Sequence, residues 1–278
     1  MTGAGGDPAA IARATGLIRR AEEITVLSGA GISTDSGIPD FRGPDGLWTR
    51  NPAAQRLSSL QDYIADPEIR RAAWRGRRDH PVWRAVPNAG HRALVELERR
   101  GRLRTIVTQN IDGLHQLAGS DPALVLELHG TMHAVACLDC ADRTPMSEAL
   151  ARVEAGEPDP ACLRCGGILK SATVSFGQRL DETVFRAAAW AAADCDVLLA
   201  VGSSLTVEPA AGLVRRAAEA GAVVIIVNAE PTPYDRAADI VLRAPIGLAL
   251  PAIVAASEPR SGRCPDPESA PRTASGGN

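Results

Sequence analysis

Short apolar runs alternate with longer amphipathic stretches along most of the chain. Runs such as VLLAV and VVIIV are apolar throughout, which predicts strands of a parallel sheet that is covered on both faces. The stretches between them repeat apolar residues at helical spacing. The predicted strands are 24–28, 103–108, 124–128, 172–175, 197–201, 223–227 and 239–242, and the predicted helices are 8–22, 88–100, 181–193 and 209–220. This alternation indicates an α/β fold with a doubly wound, Rossmann-like parallel sheet.

Two stretches interrupt the alternation. One is rich in Trp, Arg and Pro, and the other holds two cysteine pairs, so we predict an inserted helical segment and a small inserted zinc-binding domain. The end of the chain is rich in Pro, Ser and Gly, which predicts a disordered tail. The predicted organisation is a discontinuous Rossmann-like domain at 8–43, 88–130 and 172–256, a helical insertion at 44–87, the small domain at 131–171 and the tail at 257–278.

The segment GAGISTDSGIPDFRG, residues 29–43, follows the first predicted strand. Gly29 and Gly31 let the backbone approach a pyrophosphate closely, and the hydroxyl of Ser33 and nearby N–H groups could donate to its oxygens. Thr34 stands where the usual dinucleotide fingerprint has its third glycine. A plain structural turn is therefore the alternative interpretation of this segment taken alone.

Further polar clusters directly follow other predicted strands. Because the carboxyl ends of parallel strands open on one crevice, we expect these clusters to converge with the glycine turn on one ligand site. They are TQNIDGLH from Thr108, His129-Gly130, Gly202-Ser203-Ser204 and Asn228-Ala229-Glu230.

The cysteine pairs Cys137-x-x-Cys140 and Cys162-x-x-Cys165 have the spacing of two zinc knuckles that close one tetrahedral site. Four thiolates fill the coordination shell and leave no position for water or substrate, so the metal would be structural. Two disulfides are the alternative, and we expect zinc because the chain shows no export signal.

Composition limits the partners. The formal net charge is −3 and the pI is about 6.0, so no strong binding to nucleic acid or to anionic membranes is expected. The N-terminal MTGAGGDPAA has no apolar core of a signal peptide, and no run approaches the roughly 20 apolar residues of a membrane span. We therefore predict a cytoplasmic protein. Lys170 is the only lysine, which we interpret as compositional bias rather than as a functional signal.

Taken together, these motifs resemble those of the sirtuins, the NAD-dependent protein lysine deacylases of the silent-information-regulator family. The resemblance runs from about residue 15 to 255 and also includes Phe176-Gly177 and VNAEPT. It implies an enzyme that transfers an acyl group, acetyl first, from a protein lysine to the ribose of NAD, releasing nicotinamide and O-acyl-ADP-ribose. The implied cofactors are NAD, bound by the discontinuous Rossmann-like domain, and one structural zinc ion. The insertion at 44–87 would carry the cofactor and substrate loop, and the implied partner is an acylated protein or peptide.

The resemblance also implies roles for individual residues. His129 would be the general base that takes a proton from a ribose hydroxyl, a role suited to an imidazole pKa of about 6.5. Asn110 and Asp112 would act at the nicotinamide pocket, although Asp112 could equally cap the helix that follows. Phe41 would screen the reactive carbon from water. The implied cofactor contacts are Gly29, Ala30, Gly31, Ser33, Asp40, Phe41, Arg42, Gln109, Asn110, Asp112, Gly202, Ser203, Ser204, Asn228 and Glu230.

By the same resemblance, the acyl-lysine peptide would pair as a strand near Val174, Phe176 and Gly177. The segment SATVSFGQ departs from the usual sirtuin pattern there, which puts peptide preference in doubt. Trp74 stands where sirtuins that prefer acidic acyl groups have tyrosine, whereas Arg77 keeps their arginine. We therefore favour acetyl or another neutral acyl group. The alternative for the arginines of this segment is a solvated basic helix face.

Two other functions remain open from the sequence. A mono-ADP-ribosyltransferase or NAD glycohydrolase would cleave the same nicotinamide bond without removing an acyl group. A non-catalytic module that senses NAD and holds zinc is the third hypothesis, and the set Asn110, Asp112 and His129 argues against it.

Overall fold

The computed structural model describes residues 7–44, 46–51 and 56–255. Its larger sheet is parallel, with the order β3-β2-β1-β7-β8-β9. The strands of this sheet are β1 (Ile24–Ser28), β2 (Leu103–Thr108), β3 (Val125–Glu127), β7 (Val197–Val201), β8 (Val223–Val227) and β9 (Ile240–Leu242). The order reverses between β1 and β7, which makes the crevice at their carboxyl ends the expected ligand site of a doubly wound fold.

Helices cover both faces of this sheet, so its central strands are buried. Every residue of β1 and β7 is buried, as their continuous apolarity predicts. The helices are α1 (Pro8–Arg20), α2 (Leu47–Arg50), α3 (Leu60–Ala65), α4 (Pro67–Arg78), α5 (Ala89–Arg99), α6 (Leu114–Ala118), α7 (Met146–Glu154), α8 (Glu182–Ala193), α9 (Gly212–Glu219) and α10 (Ile246–Ala255). One apolar cluster packs α1, α5 and α10 on one face, and another packs α8 and α9 on the opposite face.

Local signals in the sequence explain where several helices begin. Asp7 accepts a hydrogen bond from the N–H of Ala9, and Pro8 occupies the first helical position of α1. Asn88 and His91 form a reciprocal capping pair at the start of α5. Such caps satisfy N–H groups that would otherwise lack partners.

A second sheet has three antiparallel strands in the order β5-β4-β6. They are β4 (Gly130–Cys137), β5 (Arg143–Pro145) and β6 (Leu169–Thr173). The predicted strand at 172–175 is therefore wrong in position and in sheet, because β6 begins earlier and pairs with β4. The sequence did not indicate that β6 begins at Leu169, because the charged Lys170 interrupts the apolar run there.

Additional structure lies outside the predicted elements. The 3₁₀ segments Ala30–Ser36, Pro81–Arg84 and Pro122–Leu124 connect the regular elements, and α7 was not predicted. None of the helices in the described ranges has both the length and the apolar character needed to cross a lipid bilayer. The predicted tail at 257–278 lies outside the described residues.

Candidate active site

Two glycine turns meet at the crevice between β1 and β7. The N–H of Gly29 donates to the carbonyl of Val201 at 2.9 Å, and the N–H of Gly31 donates to the carbonyl of Gly202 at 2.8 Å. Gly202 has φ +62°, and a Cβ at this position would lie 2.4 Å from the backbone nitrogen of Ile32. These positions need glycine because two backbones touch. The turn runs into the 3₁₀ segment Ala30–Ser36, so Thr34 takes the place of the third fingerprint glycine.

The turn after β1 and the loop after β2 share a buried polar network. The hydroxyl of Ser33 donates to Asp112 Oδ2 at 2.7 Å, and Asn110 Nδ2 donates to the hydroxyl of Ser33 and to the carbonyl of Gly29, both at 3.2 Å. Asp112 Oδ1 accepts the N–H of Leu114 at the start of α6 at 2.9 Å. Four of the predicted site residues, Gly29, Ser33, Asn110 and Asp112, are thus in contact, and Asp112 also bonds to the first turn of its helix.

His129 lies between β3 and β4, where the chain leaves the large sheet for the small one. Its Nδ1 is 2.9 Å from the carbonyl oxygen of Gln109. A carbonyl only accepts, so Nδ1 carries the proton and Nε2 keeps its lone pair. Burial lowers the pKa of His129, and the hydrogen bond to Gln109 opposes part of this change. The imidazole is therefore neutral at pH 7 and able to accept a proton at Nε2. Gln109 Nε2 in turn donates to Ser203 Oγ at 2.8 Å.

Two further histidines, which contact each other, lie beneath the site. His91 and His115 are buried, and their ring centroids are 5.1 Å apart. His115 Nε2 is 2.9 Å from Ser28 Oγ, whose hydroxyl donates to Thr108 Oγ1, so His115 supports the ends of β1 and β2. Burial lowers the pKa of His91 to about 4 and that of His115 to about 3. The sequence offered a signal for His91, which falls on the apolar face of α5.

The predicted cofactor loop is closed by hydrogen bonds and aromatic contacts. The N–H of Leu47 donates to the carbonyl of Asp40, and the N–H of Trp48 donates to the carbonyl of Phe41. The ring centroid of Trp48 lies 4.8 Å from that of Phe41 and 5.5 Å from that of Phe176. The guanidinium carbon of Arg42 lies 4.6 Å from the centroid of the Trp48 ring. Sequence reasoning missed Trp48, which joins the cofactor loop to the predicted substrate strand.

The predicted substrate strand is already paired along one edge. The N–H of Val174 donates to the carbonyl of His129 at 2.8 Å. The N–H of Phe176 donates to the backbone carbonyl of Ser58 at 2.8 Å, and the carbonyl of Phe176 accepts the N–H of Leu60 at 3.0 Å. Gly177 follows with φ +84°. Alternate residues of an extended strand present their backbone groups at opposite edges, so a peptide would have to pair with the other edge.

The tryptophan and the arginines of α4 differ in how far they are buried. Trp74 is 1% exposed, and Arg77 is partly buried and donates from Nε and Nη2 to Ser171 Oγ at 3.2 and 3.1 Å. Arg75 and Arg78 are exposed. The solvated basic face therefore describes these last two residues but not Arg77.

The residues predicted to hold the adenosine half lie at the ends of β7 and β8. Ser204 Oγ is 2.9 Å from Thr206 Oγ1, and Asn228 Nδ2 donates to the backbone carbonyl of Glu230 at 2.8 Å. The side chain of Glu230 is exposed. Together with the turn from Ala30, these groups supply hydroxyl, amide and carboxylate partners along one crevice, which fits a dinucleotide.

The four cysteines come together at one end of the small sheet. Their sulfur atoms all lie within 4.8 Å of one another, with Cys137 and Cys165 at 3.5 Å and Cys140 and Cys162 at 3.8 Å. Four sulfurs at about 2.3 Å from one tetrahedral ion would be about 3.8 Å apart, so the set fits zinc. The separations are far longer than a disulfide bond of about 2.05 Å, which excludes the alternative pairing. The N–H of Asp139 donates to Cys137 Sγ.

Comparisons with known proteins agree with this geometry. The sequence profile of the Sir2 family matches residues 29–209. NAD-dependent protein deacetylase 2 of Streptomyces coelicolor is 58% identical over 231 residues, which cover 83% of this chain and 96% of that protein. The NAD-dependent protein deacetylase of Thermodesulfovibrio yellowstonii is 42% identical over 236 residues, covering 84% of this chain and 90% of that protein.

Solved structures show the same likeness. One, described as the structural basis for the mechanism and regulation of Sir2 enzymes, has a TM-score of 0.82 and 40% identity. Its alignment covers 90% of this chain and 98% of the solved chain. Another, a Sir2 variant with a deacetylated p53 peptide and 3'-O-acetyl-ADP-ribose, has a TM-score of 0.81 and 31% identity. Its alignment covers 87% of this chain and 96% of the solved chain. The family profile, the relatives and the solved structures agree with the glycine turn, the His129 network and the four-cysteine cluster. This chain therefore belongs to the Sir2 family, the sirtuins.

Proposed function

We propose that this protein removes acyl groups, acetyl first, from lysine side chains of proteins in a reaction that consumes NAD and yields nicotinamide and O-acyl-ADP-ribose. The observation that carries the proposal is the hydrogen bond between His129 Nδ1 and the carbonyl of Gln109, which leaves the lone pair on Nε2. Gln109 directly precedes Asn110, which belongs to the network with Ser33 and Asp112 at the switch point of the sheet. The relatives named as NAD-dependent protein deacetylases support it.

NAD, when bound, supplies the ribose that receives the acyl group and the nicotinamide that leaves. His129 Nε2 takes a proton from a ribose hydroxyl, and the Gln109 carbonyl holds the ring in the tautomer that permits this. Asn110 and Asp112 orient the nicotinamide end, held in place by Ser33. Ser33, Asn110 and Asp112 are buried and His129 is partly buried, so their hydrogen bonds act with little competition from water.

The remaining site residues have supporting roles in this proposal. Phe41 and Arg42 cover the cofactor, and Ser203, Ser204, Asn228 and Glu230 hold its adenosine half. The peptide enters along the other edge of the strand at Val174 to Gly177, where it would replace the hydrogen bonds that Ser175 makes to Gln178. We also propose the division of the chain given above, in which the residue range 131–171 forms a zinc module whose metal stabilises the fold and takes no part in the chemistry.

The test is a reaction of purified protein with an acetyl-lysine peptide, with and without NAD, in which peptide mass and nicotinamide are measured together. We expect loss of the acetyl group only with NAD, one nicotinamide for each acetyl group removed, and no reaction by His129→Ala. Nicotinamide release with an unchanged peptide would point to ADP-ribosyl transfer or NAD hydrolysis instead. No nicotinamide and no change in the peptide would favour the non-catalytic module.

A further inference from the structure

The chain that enters β4 runs alongside the loop after β2, which carries Asp112. The N–H of Met132 donates to the carbonyl of Ile111 at 3.0 Å. His133 Nε2 lies 2.7 Å from the carbonyl oxygen of Asp112, and a carbonyl only accepts, so Nε2 carries the proton and is the donor. With the bond from His129 described above, three donors from five consecutive residues hold three backbone carbonyls of one loop.

Asp112 is fixed at its backbone as well as at its carboxylate. Oδ1 accepts the N–H of Leu114 at 2.9 Å, and Oδ2 accepts the hydroxyl of Ser33 at 2.7 Å. The backbone carbonyl accepts from His133. Because a short side chain joins the carboxylate to this backbone, a shift of the peptide group moves the carboxylate as well. His133 therefore acts on the position of a group that we assign to the nicotinamide end of the site.

The imidazole of His133 rests directly against the backbone of the loop. Gly113 has φ +72°, and a Cβ there would lie 2.8 Å from His133 Nε2 and 3.1 Å from Cδ2. No side chain fits between the ring and the loop, which requires glycine at this position. Although His133 is an exposed residue, its hydrogen bond to Asp112 is partly shielded from water. The bond thus belongs to a close contact.

Trp83 packs on the imidazole from the helical insertion. The two ring centroids are 5.5 Å apart and the rings are perpendicular, which is a favourable edge-to-face geometry. Trp83 Nε1 donates to the backbone carbonyl of Arg77, near the end of α4, at 2.6 Å. The indole is therefore held at one side and holds the imidazole at the other. A continuous row of contacts runs from α4 through Trp83 and His133 to Asp112.

We propose that His133 is a positioning residue of the reaction, which acts by holding the backbone of Asp112, and that Trp83 keeps its ring in place. The proposal rests on the proposed deacylase function, because it concerns the group that orients the nicotinamide end. Neither residue touches the reacting atoms. Their effect is to keep the Asp112 carboxylate in one place while nicotinamide leaves.

The first arm of the test is kinetic. His133→Phe keeps a ring against Trp83 but removes the donor, whereas His133→Gln keeps a donor near the position of Nε2. We expect His133→Phe to lower kcat/KM for NAD about tenfold and to raise the inhibition constant of nicotinamide by a similar factor, with an unchanged KM for the acetyl-lysine peptide. His133→Gln should restore most of both values. Arg84→Gln, which changes an exposed neighbour of Trp83, should match the wild type.

The second arm needs no activity. The N–H of Leu114 is bonded to Asp112 Oδ1, so its hydrogen exchange, followed by NMR, reports whether the carboxylate is held in place. Exchange at Leu114 should be about tenfold faster in His133→Phe than in the wild type and close to the wild type in His133→Gln. If His133→Phe does not fold, Trp83→Leu, which retains the donor but frees the ring, should show a smaller change in the same direction.

The two arms separate this proposal from the proposed function. If the wild-type protein neither removes the acetyl group nor releases nicotinamide, the deacylase assignment fails, and exchange at Leu114 still decides whether His133 holds Asp112. Unchanged exchange in His133→Phe refutes the positioning role. In an active wild type, so does an unchanged inhibition constant of nicotinamide, and equal losses in His133→Phe and His133→Gln would show that the imidazole only fills space.

Discussion

Gly202→Ala tests whether the contact between the two glycine turns shapes the cofactor site. The added Cβ would lie 2.4 Å from the nitrogen of Ile32 and 2.7 Å from the carbonyl carbon of Gly31. Ordinary contacts begin at 3.4 Å, so the turns must separate by about 1 Å. Both neighbours are backbone atoms, so rotation of a side chain cannot relieve the clash.

The expected cost has two parts. Alanine at φ +62° costs about 1–2 kcal/mol in the left-handed region, and the clash adds about 1–3 kcal/mol of overpacking. At roughly 2–4 °C per kcal/mol for a protein of this size, Tm should fall by about 4–20 °C. Because the separation also moves the cofactor turns, kcat/KM for NAD should fall about 100-fold.

Gly221→Ala is the matched control. Gly221 has φ +90°, and a Cβ there meets no atom within 4 Å, so this variant carries the backbone strain without the clash. It should lose about 1–2 kcal/mol of stability and retain wild-type kinetics. Differential scanning calorimetry and nicotinamide release measure the two effects. Equal losses of Tm in both variants, with an unchanged kcat/KM for NAD in Gly202→Ala, would refute the reasoning.

Four further predictions concern protons, zinc and a buried hydroxyl. Because burial lowers the pKa of His129, kcat/KM should rise through a pKa below 6.5 and stay level from pH 7 to 8; a midpoint above 6.5 would contradict this. His91 and His115 are buried neutral with pKa values of about 4 and 3, whereas the unfolded chain takes up protons below about 6.5. Urea unfolding should therefore show stability falling between pH 6.5 and 4, by up to about 1.4 kcal/mol per pH unit for each histidine, and His115→Gln should reduce the slope. Cys162→Ser should lower the zinc content measured by atomic absorption and abolish deacylation through unfolding of the small sheet, and full activity without zinc would argue against this. Tyr63→Phe leaves a buried backbone carbonyl without its 2.7 Å hydrogen bond and should cost about 1–3 kcal/mol in urea unfolding, with an unchanged midpoint as the contrary result.

The sequence predicted the large sheet well because its strands are mostly apolar and five of the six, all but β9, end in a polar cluster. A buried parallel strand such as β7 can be recognised from its sequence alone, because all of its residues are apolar. The strand β6 was misplaced because the burial of Lys170 arises from tertiary structure, where its amine donates to backbone carbonyls and its backbone pairs with the neighbouring strand β4. Local sequence carries no signal for that environment.

The candidate site was predictable at its strand ends and less so between them. Asn110 and Asp112 follow a strand within one motif, and Ser33 follows another, so topology alone brings them together. Trp48, in contrast, contacts Phe176, which lies far from it in the sequence.

The burial of Lys170 also decides how this protein responds to lysine chemistry. It is the only lysine among 278 residues, and the fold leaves it 4% exposed. The folded molecule therefore presents essentially no side-chain amine for reactive acyl donors to modify, and it offers other copies of itself no acylated lysine as a competing substrate. Amine-directed labels and cross-linkers should likewise leave the side chains of the native protein unmarked, so that their reaction at Lys170 would report unfolding of the small sheet.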